Sequence, residues 1–178
     1  MTSPAIKAVL ILDSQDGSRV HAKYFDAKMK MDKEGQLKFE KSFFNKAKNN
    51  IARVENDVVM LDRTVSLYRN GVDVIFVVVG SSNENELVLS CVLDGLYEAL
   101  SGMLRSQVDR RNLLDNMELV FLAVDEVVDG GLIMECDSLA IANRVLMRDA
   151  EGEVPMSELT ISQALATAKQ QLGGSLRG

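Results

Sequence analysis

Apolar residues follow two rhythms along this chain. The first is the short period of strands. "AIKAVLIL" at residues 5–12 is a nearly unbroken apolar run and reads as a buried strand. "RVHAKYF" at 19–25 alternates, with Val20, Ala22 and Tyr24 on one side, and Asp16-Gly17 between the two runs is a hairpin turn signal. Residues 57–79 repeat the pattern: "DVVML" leads through Asp62-Arg63 into "TVSLYR", and Asn70-Gly71 leads into "VDVIFVVVG". Asn70-Gly71 is the strongest turn signal in the chain, since both residues tolerate the positive φ of a type I′ turn. An antiparallel meander is expected here, with the Val-rich last strand central.

The second rhythm is helical. Between residues 35 and 57, Phe39, Phe43, Ala47, Ile51 and Val54 share one face, while Lys38, Lys41, Lys46 and Lys48 lie largely off it and make a basic outer face. The clearest helix covers 81–108, with Leu89, Val92, Leu93, Leu96, Leu100, Met103 and Leu104 as its stripe and Ser81 and Glu84 at capping-box spacing. Leu113, Leu114, Met117, Val120, Phe121, Val124 and Val128 predict another helix, ending at Gly130-Gly131 where a C′ glycine is expected. A shorter helix is expected over 135–147. "RDAEGEVP" then reads as a linker, and Ile161, Leu165, Ala168 and Leu172 form the stripe of a tail helix opened by Thr160 and Gln163. The element order β-β-α-β-β-β-α-α predicts an α/β (α+β) fold: one five-stranded antiparallel sheet with helices packed on it, and a C-terminal helical extension. The expected division is residues 1–147 for the domain and 148–178 for linker and tail.

Composition sharpens this picture. The chain has 178 residues, 47% of them apolar but only 5% aromatic and none Trp, so the core must be aliphatic. The net charge of −6 argues against nucleic acid as the main partner. Charge is unevenly spread: residues 21–53 hold nine Lys or Arg against four Asp or Glu, a local +5 that leaves −11 elsewhere. The lysines of 28–48 could meet anionic lipid or an acidic partner, or form a solvated face. Cys91 and Cys136 are in no metal-type spacing and suggest a reduced, intracellular protein. "MTSPAIK" is not a signal peptide, Thr2 is not the glycine of a myristoylation site, and "VIFVVVG" is too short to cross a bilayer.

The candidate chemistry is sparse. "VFLAVDEVVDGGLIMECD" carries Asp125, Glu126, Asp129, Glu135 and Asp137. It lacks the calcium-loop ladder, and the first three carboxylates are expected largely on the solvent side of a helix. His21 is the only histidine and reads as a structural residue of a strand. Cys91 reads as a small buried apolar residue, and Cys136, between Glu135 and Asp137, is the reverse of an activated nucleophile. "VVVGSSNENE" has one glycine and no G-K-[ST], so it fails both nucleotide-loop patterns, and helix capping is the preferred reading of its Ser82–Glu84 N–H groups. No catalytic residue, cofactor or metal is expected. The adjacent Phe43 and Phe44 cannot both be buried by one helix, so one of them is a candidate partner contact.

Four stretches carry a family resemblance: "AIKAVLILDSQDGSRVHAKYF", "LDRTVSLYRNGVD", "GSSNENELVL" and "RRNLLDNMELVFLAVDEVVDGG". They resemble the zeta subunits of coatomer, the COPI coat, and more distantly the sigma small chains of clathrin adaptors, from about Pro4 to about Leu146. The resemblance implies a longin-type fold and a non-enzymatic role. It implies pairing with the coatomer gamma subunit among the remaining coatomer subunits, and recruitment by the small GTPase Arf to the cytosolic face of Golgi membranes and COPI vesicles, with membrane contact indirect. By analogy with the acidic-dileucine groove of adaptor sigma chains, it points to Tyr97, Val108 and Leu113 as apolar contacts and to Arg19 as the basic one. A free-standing longin module regulating a SNARE or a GTPase is the alternative, although no SNARE heptads follow residue 146. An enzyme would need a convergent polar pocket, which one histidine without a paired motif does not suggest.

Overall fold

A computed structural model describes residues 6–49, 56–105 and 107–152. Strands β1 (Ile6–Asp13), β2 (Arg19–Tyr24), β3 (Asp57–Leu61), β4 (Thr64–Asn70) and β5 (Val74–Ser81) form one antiparallel sheet in the order β2-β1-β5-β4-β3. The Val-rich β5 is central, as its apolar run requires: it is flanked on both sides and covered on both faces. Its side chains alternate cleanly. Val74, Phe76 and Val78 enter one core, while Ile75, Val77 and Val79 enter the other.

Helices α1 (Ala27–Met31) and α2 (Lys33–Ala47) cover one face, where Phe43 and Ala47 meet Leu10, Leu12, Tyr68 and Val77. The other face carries α3 (Glu86–Met103), the short α4 (Arg110–Asp115), α5 (Met117–Val127) and the start of α6 (Ser138–Gly152). Leu93, Leu96 and Leu100 of α3, Val120 and Val124 of α5 and Ile141 and Val145 of α6 share its core. The chain divides into two units, residues 1–146 and 147–178. The described part of the second, 147–152, is helical. The expected tail helix and the Ile51 and Val54 positions lie outside the described residues.

Several local expectations are corrected. The tight two-residue turn is Asp62-Arg63, where Leu61 pairs with Thr64 and Asp62 takes φ 50°. Asn70-Gly71 opens a longer connection instead, and Gly71 has no positive φ. The glycine is needed there for close approach, since a Cβ would stand 3.0 Å from the Val108 carbonyl oxygen. Ser81 is not a helix cap, because β5 continues through it to pair with Thr64. The cap of α3 is Asn85, whose side chain accepts from Leu87 N–H at 2.9 Å. The helix expected over 113–128 breaks at Asn116 (φ −126°, ψ 38°), whose side-chain amide donates to Asn112 O. Gly130-Gly131 does not cap α5. The helix ends at Val127, and the glycines, at φ 56° and 87°, form the turn between two short strands, β6 (Val128–Asp129) and β7 (Leu132–Ile133).

Candidate functional site

β2 is an edge strand that meets a helix on each face, and it makes an ion pair toward each of them. Toward α2, Arg19 makes a two-point contact with Glu40, Nε to Oε2 at 3.1 Å and Nη2 to Oε1 at 2.6 Å, and a third bond to Gln36 Oε1 at 3.3 Å. Tyr24 OH donates to the same Glu40 Oε1 at 2.6 Å. Gln36 in turn donates to the carbonyls of Met29 and Lys30 and so ties α1 to α2. Glu40 is buried, and its carboxylate is satisfied entirely from β2. Burial and the bond to Glu40 push the Tyr24 phenol above its ordinary range. Burial opposes the Arg19 charge, but Glu40 outweighs it and the guanidinium is held more firmly protonated than usual.

Toward α5, His21 is buried edge-to-face against Phe121, ring centroids 5.2 Å apart. Its Nε2 has no hydrogen-bond partner. Burial first, and then Lys23 and Arg19, depress its pKa to about 4, against a smaller opposing pull from Asp125. It is therefore a neutral structural ring near pH 7. Lys23 reaches Asp125 on the surface beside it.

The remaining sequence candidates separate. Tyr97 is half-buried on α3, edge-to-face with Phe76 and stacked under Arg69 with the guanidinium carbon 4.2 Å from the ring centroid. Arg69 also bonds Asp94 at 3.0 Å, and Asp94 takes further bonds from Asn56 and Ser90. Val108 and Leu113 are closed into the same α3–α5 core, 2% and 0% exposed. Arg19 points to the opposite face of the sheet, so the structure does not bring the four together in one groove. Phe43 is fully buried against Tyr68, whereas Phe44 is half-buried over Gly17. A Cβ at Gly17 would come within 2.5 Å of the Phe44 ring, and this glycine also has φ 72°.

The acidic stretch is not wholly solvated. Asp125 and Asp129 are exposed, but Glu126 is 6% exposed and 3.6 Å from Arg144, which also meets Glu135. Glu126 stands three residues after the buried Ala123, so the turn of α5 carries it to the buried side of the helix. Glu135 is held below the usual carboxylate range by backbone N–H bonds from Asp137 and Cys136. Cys91 is exposed, contrary to the expectation of burial, because it lies off the inward stripe of Leu89, Val92 and Leu93 on α3. Cys136 is half-buried, and burial, then Cys91 and Glu135, push its thiol up. Among the described residues there is no group of His, Cys, Asp and Glu placed to hold a metal, and no helix long and apolar enough to cross a membrane.

Sequence reasoning missed Gln36 and Glu40 as core-facing partners. The buried positions of α2 are Gln36, Glu40, Phe43 and Ala47. A signal was present, since extending the Phe43–Ala47 stripe toward the N-terminus lands on these two polar residues. Reading the stripe through Phe39 concealed it.

What the described arrangement offers is accessible surface. Large apolar side chains stay exposed on the helical face and the small hairpin, among them Leu87, Leu114, Phe121, Leu132, Met134 and Leu139. Comparison with known proteins supplies the context. Residues 5–152 match the model of the clathrin adaptor complex small chain family. The chain is 46% identical to human coatomer subunit zeta-1 over 171 residues, covering 96% of this chain and 92% of the relative. It is 43% identical to Arabidopsis thaliana coatomer subunit zeta-1 over 173 residues, covering 97% of each. A chain of the full-length AP-3 complex in a stretched open conformation, itself a homology model, is similar in fold with a TM-score of 0.64 at 17% identity, covering 83% of this chain and 95% of that one. Two relatives above 40% identity over almost their whole length, together with the family model matched over residues 5–152, place this chain in the coatomer zeta branch of the clathrin adaptor complex small chain family.

Proposed function

We propose that this chain is a non-enzymatic subunit of the COPI vesicle coat that acts by pairing with the gamma large chain in the Arf-recruited core of coatomer on Golgi membranes. The observation that carries the reading is its near full-length identity to coatomer zeta subunits. The exposed apolar residues of α3, α5 and the β6–β7 hairpin support it, because an obligate partner face resembles a core cut open. Of the residues singled out from sequence, Arg19, Phe44 and Tyr97 keep accessible surface and are proposed as partner contacts. Val108 and Leu113 act behind that surface as packing.

The test is co-expression with the trunk of a coatomer gamma subunit, followed by size exclusion with light scattering. A stable one-to-one complex, with the isolated chain aggregating, is the expected result. A well-folded monomer that ignores the gamma trunk overturns the reading and moves the free-standing longin module to first place.

A further inference from the structure

The sheet has two edge strands, and the fold closes one of them. Leu61 pairs with Thr64 across a two-residue turn, which directs Leu61, Val59 and Asp57 toward β4 and leaves Val58 and Met60 facing outward. Val58 N–H is taken up by Asp57 Oδ1 at 2.8 Å, and Met60 O accepts Lys46 Nζ at 3.1 Å. β3 is thus short, capped and blunted by a lysine, as exposed edges are in stable monomers.

β2 has no such cover. Phe25 N–H donates to Lys7 O at 2.8 Å, so the two-residue alternation turns Lys23 inward to β1 and sends the N–H and C=O of Ala22 and Tyr24 outward. Among the described residues, no hydrogen bond reaches these outward groups. A cleft of about 470 Å³ runs along them, lined by Ala22, Lys23, Tyr24, Lys30, Asp129 and Gly130. Its far wall is fixed: Ile6 N–H donates to Gly131 O at 3.0 Å and holds the β6–β7 hairpin beside the sheet. The cleft is therefore walled by α1 and by the hairpin, with an unpaired strand edge between them.

Charge selects the occupant. Lys23 is half-neutralised by Asp125, and Asp129 stands on the hairpin rim. Lys28 and Lys30 on α1 are exposed and have no ion partner among the described residues. A second copy docking β2 against β2 would set Arg19 and Lys23 against their own like charges, which opposes self-pairing. We propose that the β2 edge accepts an extended acidic segment of a partner protein as a sixth strand, paired through the backbone of Ala22 and Tyr24. The inference rests on the geometry and charge of this edge and not on the proposed function, so a failure of the gamma co-expression would leave it standing.

The test uses the full chain and a capped synthetic peptide of alternating valine and glutamate. Binding is read by fluorescence anisotropy, and hydrogen exchange is read at the Ala22 and Tyr24 amides. The expected result is saturable binding that slows both amides about tenfold or more, and no binding by the same peptide N-methylated on its pairing edge. Ala22→Pro removes an outward donor and no sheet bond, so it should abolish binding while leaving the circular dichroism melt in place. If that variant does not fold, the N-methylated peptide and Lys30→Glu decide, the latter with an expected severalfold loss of affinity. Equal binding of the N-methylated or of a valine–lysine peptide overturns the proposal. So does unchanged exchange at Ala22 and Tyr24, or a concentration-dependent dimer that protects them without peptide.

Discussion

The two faces of the sheet are built on different terms. The α3–α5 face is mainly aliphatic: its core cluster is Val, Leu, Ile and Ala with Phe76, and its buried polar groups, Glu126 of α5 and His21 of β2, stand apart from that cluster. The α2 face closes on Phe43 and Tyr68 but buries Glu40 and Gln36 beside them, tied to Arg19 and Tyr24 of β2. The same strands serve both faces, since alternate residues of β1 and β5 are equally apolar. The difference lies in the helices. An aliphatic face gains from area alone and tolerates sliding. A face with a buried carboxylate has one position of the helix in which that carboxylate is satisfied. The comparison suggests that α3 and α5 supply stability, while α2 is held in register against β2.

The strongest challenge to that division is a truncation on the aliphatic side. Leu93→Ala, at a fully buried position of α3, should cost about 3–4 kcal/mol in urea unfolding, the transfer loss plus an unfilled cavity. A cost below about 1 kcal/mol would mean that this face repacks freely and is not the main source of stability.

On the other face, Glu40→Gln keeps the shape and removes the charge that Arg19 and Tyr24 share. The expected loss is about 2 kcal/mol, less than for a wholly buried pair because Arg19 is 34% exposed. The sharper variant is Arg19→Leu with Glu40→Leu and Tyr24→Phe, which replaces the network by apolar volume. Recovery of most of the lost stability is expected, with broadened amide resonances in α2. A triple variant that is stable and as sharply resolved as the parent would show that the network does not set the register of α2.

The same contrast explains what could be read from sequence. The central place of β5 and the α3 stripe were legible because each rests on a run of similar physical choices: Val after Val in β5, mostly Leu on the inward side of α3. The polar half of the α2 stripe was not, since a glutamate at residue 40 looks like solvent-facing charge until the arginine of a distant strand is set opposite it. The turns failed for a related reason. Asn70-Gly71 and Gly130-Gly131 advertise positive φ, but whether a glycine is used for φ or for close approach depends on what packs over it, here the Val108 carbonyl for Gly71. The candidate contacts Arg19, Tyr97, Val108 and Leu113 were scattered by the sheet itself: simple alternation would put Arg19 on the side of His21, but a bulge at Val20 turns it to the α2 face.

β2 carries a second ion pair that provides the weakest and most discriminating test of the comparison. Lys23 and Asp125 meet on the α5 side with side chains 35% and 50% exposed, so water screens both. A double-mutant cycle with Lys23→Met and Asp125→Asn should give a coupling below about 1 kcal/mol that disappears in about 1 M salt, while the Arg19–Glu40 coupling persists. The buried His21 reports the pair independently. Its folded pKa of about 4 lies below the ordinary value of 6.5, so the unfolded chain binds the extra proton between those values. The histidine's contribution to stability is therefore present above about pH 6.5 and is lost as the pH falls toward 4. Lys23 depresses that pKa and Asp125 opposes the depression. Histidine titration followed by NMR should then move up in Lys23→Met and down in Asp125→Asn. Shifts in the same direction in both variants would mean that burial against Phe121 changes in each, and that the exposed pair helps to position α5 on the strand.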